Sequence, residues 1–362
     1  MTDEIRFGIV GTGMMGIEHI LNIQAIEGNV ITALCDPNES SLKTAKELVG
    51  GEVESFTNHQ ALLDNAKVDA LIVATPNMTH TEILLEIIEA KIPVMIEKPL
   101  CTTTSDCAKV IFAAREDSMI WVGLEYRYMP AVSELIERVN EGIIGPVRMV
   151  SIREHRFPFL DKVENWNRFN VNTGGTLVEK CCHFFDLMNL ITGELPVRVM
   201  ASGGQDVNHL NENYDGATPD ILDNAYVIVE FESGSRGMLD LCMFADATKN
   251  QEEVSVVGDF GKLEALVPES VIRTGIRGKH WIGSVDEVRS ENSEILYEGT
   301  HSGSSYVEHL KFRKAFLDGS EPEVGLIEGF WSVAVGEAAH LSIERKSIVE
   351  IDEVIEGTGI SR

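Results

Sequence analysis

Long apolar runs are missing from this sequence, and so are the marks of export. The first apolar run, residues 5–10, is only of strand length, whereas a membrane-spanning helix needs about 20 apolar residues. No positively charged segment followed by an apolar stretch and a small-residue cleavage site opens the chain, as a secretory signal would. The 6 cysteines include no C-x-x-C pair, which predicts free thiols in a reducing compartment. We therefore expect a cytoplasmic protein without membrane contact.

Positive charge is also scarce. The chain has 30 Lys and Arg against 58 Asp and Glu, a net charge of −28. Nucleic-acid phosphates require a basic surface, so this balance excludes a nucleic-acid partner. It favours a solvated acidic surface over adaptation to a salty host. The 362 residues, 44% of them hydrophobic, are enough for two domains with ample cores.

The first part of the chain alternates short apolar runs with helical patterns. Strands are predicted at 6–10, 30–36, 70–75, 94–97 and 120–124, and helices at 16–24, 40–48, 81–90 and 105–116. Strands that alternate with helices at this spacing indicate a doubly wound parallel sheet. Their nearly continuous apolar character is typical of strands that are covered on both faces. We assign residues 1–125 to this first domain.

After Pro130 the pattern changes to strands joined by glycine turns. Strands are predicted from 147 and at 198–202, 225–231, 237–244, 253–257 and 262–266, with a last short strand near the end. Helices are predicted at 132–140, 175–190, 306–317 and 326–344. Hairpin-like joints indicate an antiparallel sheet, so residues 126–362 are expected to form an α+β domain. The polar stretch 205–220 is a loop that could serve as a lid or a subunit contact.

A glycine motif follows the first predicted strand. Gly11, Gly13 and Gly16 form G-x-G-x-x-G between a strand and a helix. Such glycines allow a tight turn, backbone approach to a pyrophosphate, and close packing of the helix on the strand. The helix N-terminus then holds the phosphates without a lysine. Asp36, at the end of the second strand, would accept hydrogen bonds from a ribose and repel a 2′-phosphate, which favours NAD over NADP.

The tripeptide Glu97-Lys98-Pro99 ends another predicted strand. Open parallel sheets bind ligands at the carboxyl ends of their strands, and Pro99 keeps Lys98 extended or introduces a cis bond. An ammonium at this place can stabilise negative charge that develops on a substrate oxygen. Lys98 is therefore a candidate catalytic residue.

Three polar residues share one face of the predicted helix 175–190. Glu179, His183 and Asp186 lie within about 60° of one another around a helix, on a segment that is otherwise largely apolar. A buried polar stripe must be paired or functional. His183 is the candidate base, because its ordinary pKa suits proton exchange near neutrality. The neighbouring Cys181-Cys182 pair is interpreted as packing, and no metal is expected.

These segments resemble the glucose–fructose oxidoreductase and inositol dehydrogenase family (Gfo/Idh/MocA). The resemblance rests on the glycine motif, Ala74-Thr-Pro-Asn-Met-Thr-His80, Glu97-Lys98-Pro99 and GGTLVEKCCHFFD from Gly174 to Asp186. It implies a Rossmann domain followed by a domain for substrate binding and oligomerisation, with NAD as cofactor and a homodimer or homotetramer. The cofactor residues it implies are Gly11, Thr12, Gly13, Met14, Met15, Gly16, Asp36, Thr75, Pro76, Asn77, His80, Glu97 and Lys98.

The resemblance also implies a reaction, hydride transfer between NAD and a sugar, inositol or related polyol, with Lys98, His183 and Glu179 as catalytic residues. The family has aspartate where this chain has Glu179, which leaves the role of Glu179 and the substrate open. Arg127, His155, Trp166 and Arg168 are predicted to line the substrate pocket, since aromatic plates and hydrogen-bond donors suit a sugar.

Two other functions remain as alternatives. One is an NAD-dependent glycoside-cleaving enzyme that works by transient oxidation and elimination. The other is a non-catalytic dinucleotide-binding sensor. The sequence does not determine the sugar or polyol, its stereochemistry, the physiological direction or the size of the oligomer.

Overall fold

The computed structural model describes residues 4–362 and contains two β-sheets flanked by helices. The first three residues of the first predicted domain lie outside the described residues. The strands are β1 Ile5–Val10, β2 Asn29–Cys35, β3 Glu54–Phe56, β4 Ala70–Val73, β5 Val94–Glu97, β6 Ile120–Gly123, β7 Val147–His155, β8 Pro196–Gly204, β9 Asn224–Phe231, β10 Arg236–Cys242, β11 Glu252–Gly258, β12 Gly261–Val267, β13 Val271–Ile276, β14 Asp286–Arg289 and β15 Val349–Glu350.

The helices are α1 Met14–Gln24, α2 Glu39–Val49, α3 His59–Asn65, α4 His80–Ala90, α5 Thr104–Ala113, α6 Pro130–Asn140, α7 Asn170–Thr173, α8 Thr176–Glu179, α9 Cys182–Thr192, α10 Ser304–Asp318, α11 Leu326–Arg345 and α12 Ile351–Ile355. Short 3₁₀ turns occupy Asn77–Thr79, Glu125–Tyr128 and Val163–Arg168. No helix within residues 4–362 is both long and apolar enough to cross a membrane.

The first sheet is parallel and has the strand order β3-β2-β1-β4-β5-β6. Strands β4, β5 and β6 are buried along their whole length, as the continuous apolar runs predict. The doubly wound parallel sheet is thereby confirmed. Because all its strands run the same way, the loops that follow β1, β4 and β5 meet at one edge.

The second sheet has nine strands in the order β14-β13-β12-β11-β7-β10-β9-β8-β15. Its pairs are antiparallel except β7 with β10, so the predicted antiparallel α+β architecture is confirmed. Burial alternates along β9 and β11, which means that one face is covered. Helices α9 and α11 pack on that face.

The C-terminal helices join the two sheets. Helix α10 packs against α1, and Phe312 of α10 lies 6.2 Å from Phe7 of β1, measured between ring centroids. Helix α11 contacts α5 and β6 as well as β8 and α9. The domain boundary that we propose near residue 125 falls just after β6, and the two halves share this packed interface.

The predicted helix 175–190 is two helices. Helix α8 ends at Glu179 and α9 begins at Cys182. The prediction that the polar stripe lies on one uninterrupted helix is therefore wrong. Two glycines set the start of α8: Gly174 has a φ of 81° and Gly175 a φ of 88°. A Cβ on Gly175 would lie 2.3 Å from Nε2 of His340, so only glycine fits this approach.

Candidate active site

A cavity of about 690 Å³ lies between the carboxyl edge of the parallel sheet and the second sheet. One end is lined by the loop after β1, by Asp36 and by Thr75, Pro76 and Asn77. The other end is lined by Lys98, Glu179 and His183. The fold thus brings the predicted nucleotide motif and the predicted catalytic residues into one space.

Each glycine of the loop has its own constraint. Gly11 has a φ of +89°, and a Cβ there would lie 2.5 Å from the carbonyl oxygen of Ala74. A Cβ on Gly16 would lie 2.1 Å from the carbonyl oxygen of Gly11, so Gly16 lets α1 pack close to the loop. Gly13 is different, because a Cβ on it would meet no atom within 4 Å. The open side of Gly13 is where a pyrophosphate can approach the start of α1.

Asp36 closes the loop from the side. Its Oδ2 accepts hydrogen bonds from the backbone nitrogen of Thr12 at 2.7 Å and from Thr12 Oγ1 at 3.1 Å. Its Oδ1 accepts one from the backbone nitrogen of Asn38 at 2.8 Å. The other lining residues of this corner are uncharged, namely Pro37, Asn38, Ser40, Ser41 and Thr44. The 2′-phosphate of NADP would therefore lie beside the carboxylate of Asp36, and none of the described lining residues of this corner is a cation that could offset the repulsion.

His80 and Gly16 do not line the cavity among the described residues. The His80 ring is buried, with Nδ1 2.8 Å from the carbonyl oxygen of Pro99 and Nε2 3.1 Å from that of Thr75. Contrary to the predicted direct contact with the cofactor, His80 therefore lies behind the cavity wall and does not line it. His80 ties together the loops after β4 and β5, which both border the cavity.

The side chain of Lys98 is held in the cavity by a hydrogen bond to the backbone. Its peptide bond to Pro99 is cis, and its Nζ donates a hydrogen bond to the carbonyl oxygen of Glu179 at 3.0 Å. Burial opposes the charge of this ammonium, but the charges of nearby acidic groups, Glu97 among them, outweigh burial and raise the pKa of Lys98. Lys98 is therefore a cation at neutral pH.

His183 is neutral in the same surroundings. Its side chain is buried, and burial together with the charges of Lys98 and Lys180 lowers the pKa of His183 well below its ordinary value. Nδ1 of His183 lies 3.9 Å from Oε2 of Glu125 and has no hydrogen-bond partner among the described residues. A neutral imidazole beside a cationic ammonium can accept a proton from a hydroxyl.

Glu179 and Asp186, the other members of the predicted stripe, lie in different surroundings. Glu179 lines the cavity, and burial raises the pKa of its carboxyl group while Lys98 and Lys162 oppose this shift. Asp186 instead accepts two hydrogen bonds from Arg127, at 2.6 and 2.5 Å, and both side chains are buried. This ion pair also removes Arg127 from the cavity, contrary to the predicted substrate contact.

Of the remaining residues predicted to contact the substrate, one lines the cavity and two do not. Trp166 lines the cavity. Arg168 is buried and pairs with Asp161 at 2.6 Å and with Glu212 at 3.0 Å, and His155 lies 3.1 Å from Asp240. Neither His155 nor Arg168 is among the described residues that line the cavity. Contrary to the prediction, neither side chain lines the cavity, and carboxylates already bind both of them.

Several lining residues escaped the sequence prediction. They are Glu125, Tyr126, Arg156, Lys162, Lys180 and His301. Glu125 and Tyr126 directly precede the predicted Arg127, and Lys180 lies within the motif from Gly174 to Asp186. No local pattern marks Arg156, Lys162 or His301.

The cysteines and acidic clusters give no sign of a metal centre. All six cysteines are free, and five of them, including Cys181 and Cys182, are buried. Within residues 4–362, no group of three or more His, Cys, Asp or Glu side chains is arranged to hold a metal ion.

A glycine loop at the edge of a parallel sheet, facing a lysine and a histidine across one cavity, defines a nucleotide-dependent oxidoreductase. Residues 5–124 match the family model described as "Oxidoreductase family, NAD-binding Rossmann fold". Residues 136–351 match the one described as "Oxidoreductase family, C-terminal alpha/beta domain". The chain belongs to this Gfo/Idh/MocA oxidoreductase family, as the motifs predict.

Similar proteins include dehydrogenases and a hydratase. The chain is 29% identical to myo-inositol 2-dehydrogenase of Thermotoga maritima over 97% of this chain and 100% of the relative. It is 25% identical to 2,7-anhydro-N-acetylneuraminate hydratase of Escherichia coli over 98% of this chain and 100% of the relative. A solved structure of levoglucosan dehydrogenase with NADH has a TM-score of 0.85 at 19% identity and covers 96% of this chain and 99% of its own. This last similarity concerns the fold alone.

Proposed function

We propose that this enzyme transfers a hydride between NAD and a secondary alcohol or ketone of a sugar, inositol or related polyol. The observation that carries the proposal is the placement of Lys98 and His183 in the cavity that also contains the glycine loop. The similarity to myo-inositol 2-dehydrogenase over the whole chain supports the same substrate class. The cofactor's nicotinamide supplies the hydride acceptor in the oxidative direction.

The roles of the two residues follow from their charges. The Lys98 ammonium donates a hydrogen bond to the substrate oxygen and stabilises the negative charge that develops as the hydroxyl proton leaves. The neutral His183 ring accepts that proton, and in the reductive direction His183 donates the proton back to the substrate oxygen. The carbon then loses its hydrogen with the bonding electron pair, and the substrate becomes a ketone.

The cavity fits NAD by its shape and charge. The open side of Gly13 and the tight fit of Gly11 and Gly16 match the three requirements of a pyrophosphate loop. The family model of this region is NAD-binding. Asp36, with uncharged neighbours, favours NAD over NADP.

The direct test is a spectrophotometric screen for NADH formation and consumption. It uses inositols, aldoses, anhydrosugars and their keto forms with NAD(H) and NADP(H). We expect one substrate class to support stoichiometric NADH formation. If the whole panel fails while NADH still binds, the hydride-transfer proposal is wrong and the non-catalytic sensor becomes the better interpretation.

An elimination or hydration reaction with catalytic NAD is the second candidate. Beyond Lys98 and His183 the cavity holds further proton-carrying groups, Glu125, Glu179 and the hydrogen-bonded pair Lys180 and Tyr126. Such groups suit a proton transfer at a neighbouring carbon, and one similar protein is a 2,7-anhydro-sugar hydratase. Product analysis distinguishes the two: altered sugar without net NADH supports this reaction, and stoichiometric NADH rejects it.

We further propose a homodimer or homotetramer in the cytoplasm. The outer face of the second sheet exposes Met200, Tyr226, Ile228 and Met238, and such an apolar face favours association with a second copy. Light scattering coupled to gel filtration measures the oligomer, and a monomer at micromolar concentration would contradict it.

A further inference from the structure

Two basic side chains at the catalytic end of the cavity have no part in the proposed hydride transfer. Arg156 directly follows β7, and Lys162 precedes the 3₁₀ turn Val163–Arg168. Both line the cavity together with Lys98 and Glu179.

Lys162 has no ion-pair partner within the described part of the chain. Glu179 and Glu97 attract its ammonium, whereas Lys98 and Arg156 repel it. Burial lowers the pKa of Lys162, which shows that the fold gives its ammonium less stabilisation than water would. A half-buried cation without a partner is unfavourable unless a ligand supplies the negative charge.

Arg156 shares a carboxylate with Lys180. One of its guanidinium nitrogens lies 3.6 Å from Oε1 of Glu154, and the same oxygen lies 3.0 Å from Nζ of Lys180. Glu252 lies nearby, but burial and the charge of Glu154 raise its pKa to about 8, so it is mostly uncharged at neutral pH. One carboxylate is therefore shared by two basic side chains.

Four of the other acidic residues that line the cavity are either already paired or have a raised pKa, whereas Glu164 is exposed. Glu97 is bound by His19 at 2.9 Å, and Asp161 by Arg168 at 2.6 Å. Burial raises the pKa of Glu125 to about 8 and also raises the pKa of Glu179. Lys162 is thus left without an ion pair among the described residues, whereas Arg156 shares Glu154 with Lys180 and donates a hydrogen bond from Nε to the carbonyl oxygen of Phe157.

We infer that Arg156 and Lys162 form a carboxylate-binding subsite and that the substrate is an acidic sugar or polyol. Its carboxylate is bound by these two side chains, and its secondary hydroxyl lies at Lys98 and His183. The inference rests on the proposed oxidoreductase function and specifies its substrate class. The phosphates of the dinucleotide are the other possible anions, but the backbone N–H groups at the start of α1 already provide their site.

The test compares acids with their neutral counterparts. The pairs are D-glucuronate and D-glucose, D-galacturonate and D-galactose, and D-gluconate and D-glucitol, each assayed for NADH formation. We expect kcat/KM for at least one acid to exceed that of its counterpart by about tenfold or more, as a charged hydrogen bond allows. Lys162→Gln and Arg156→Gln should each lower this acid-to-neutral ratio about tenfold. Lys249→Gln, which removes an exposed cation outside the cavity, is the matched control.

The outcomes separate the inference from the function on which it rests. If neutral substrates are preferred, or if the variants leave the ratio unchanged, the enzyme is an oxidoreductase but the acidic-substrate inference is wrong. If the variants instead weaken NADH binding, measured by fluorescence, the cations serve the cofactor's phosphates and the inference is also wrong.

If no pair is oxidised, binding of the same acids to the NADH-saturated enzyme is measured by calorimetry. Binding that weakens with salt and is lost in Lys162→Gln supports the subsite even though hydride transfer fails. Absence of binding overturns it.

Discussion

The imidazole ring of His183 lies flat against the phenol ring of Tyr126, with ring centroids 4.0 Å apart and planes inclined by 7°. The Tyr126 hydroxyl accepts a hydrogen bond from Nζ of Lys180 at 2.5 Å, and Lys180 is in turn paired with Glu154. Because Nδ1 of His183 has no hydrogen-bond partner in the described structure, this stack holds the plane of the ring. Tyr126 is therefore a positioning residue for the proposed base.

Replacing the stack should change kcat more than KM. His183→Asn is expected to lower kcat about 10²–10⁴-fold, the usual contribution of a general base. Tyr126→Leu should lower kcat by a smaller factor because the base remains but its ring is no longer held. Tyr126→Phe retains the aromatic face and is the matched control. Steady-state kinetics with the substrate found in the screen measure kcat and KM of the three variants. A native kcat in Tyr126→Leu would show that Tyr126 does not position His183.

Lys98→Met tests the proposed electrostatic stabilisation. Loss of one such donor costs about 10²–10³-fold in kcat, while NADH should still bind because the glycine loop and Asp36 are intact. Fluorescence titration and NADH formation give the two readings, with the exposed Lys249→Met as control. Unchanged turnover in Lys98→Met would count decisively against the mechanism.

The buried Glu125 predicts a pH dependence of stability. Burial and the charge of Glu97 raise the pKa of Glu125 from an ordinary 4.5 to about 8. Between these values the folded chain holds a proton that the unfolded chain releases, so Glu125 makes the free energy of unfolding fall as pH rises from about 4.5 to about 8. Glu125→Gln cannot ionise, and its stability relative to the native chain should therefore increase across this window.

Urea unfolding at pH 5, 6.5 and 8 measures that difference. Glu47→Gln, at an exposed position of α2, is the matched control. A stability difference between Glu125→Gln and the native chain that is constant across these pH values would contradict a raised pKa of Glu125.

Two glycines of the loop should separate stability from cofactor binding. In Gly16→Ala the new methyl group meets the carbonyl oxygen of Gly11, so we expect a loss of about 1–3 kcal/mol of unfolding free energy together with weaker NADH binding. Gly13 has a φ of −70° and open space around it, so Gly13→Ala should fold with native stability but bind NADH at least about tenfold more weakly. Native NADH affinity in Gly13→Ala would mean that the pyrophosphate does not pass this residue.

Asp36→Asn tests the choice between the two dinucleotides. The amide oxygen can keep a hydrogen bond from Thr12, but the negative charge that repels a 2′-phosphate is lost. We expect the preference for NADH over NADPH, measured as a ratio of dissociation constants, to fall at least about tenfold, an electrostatic change of about 1.4 kcal/mol. Glu39→Gln, at the start of α2, is the control, and an unchanged ratio in Asp36→Asn would show that Asp36 does not set the preference.

The sequence did not predict β3, β13 and β14, and the first and last of these share a physical feature. Strand β3 is an edge strand whose residues are exposed or half-buried, and β14 is exposed throughout. Neither shows the apolar run or alternation that burial imposes on central strands. By contrast, β5 was predicted at its observed bounds because all four of its residues are buried.

The sequence by itself determined the parallel sheet, the glycine loop and the family, because each depends on residues close together in the chain. Backbone room at Gly11 and the burial of β4 and β5 are local requirements that leave local patterns. Only the tertiary structure decided which charged side chains reach the cavity. Arg127 and Arg168 pair with carboxylates distant in sequence, whereas Arg156 and Lys162 face the open space, since the partner of a charge is chosen by folding in three dimensions and not by spacing along the chain.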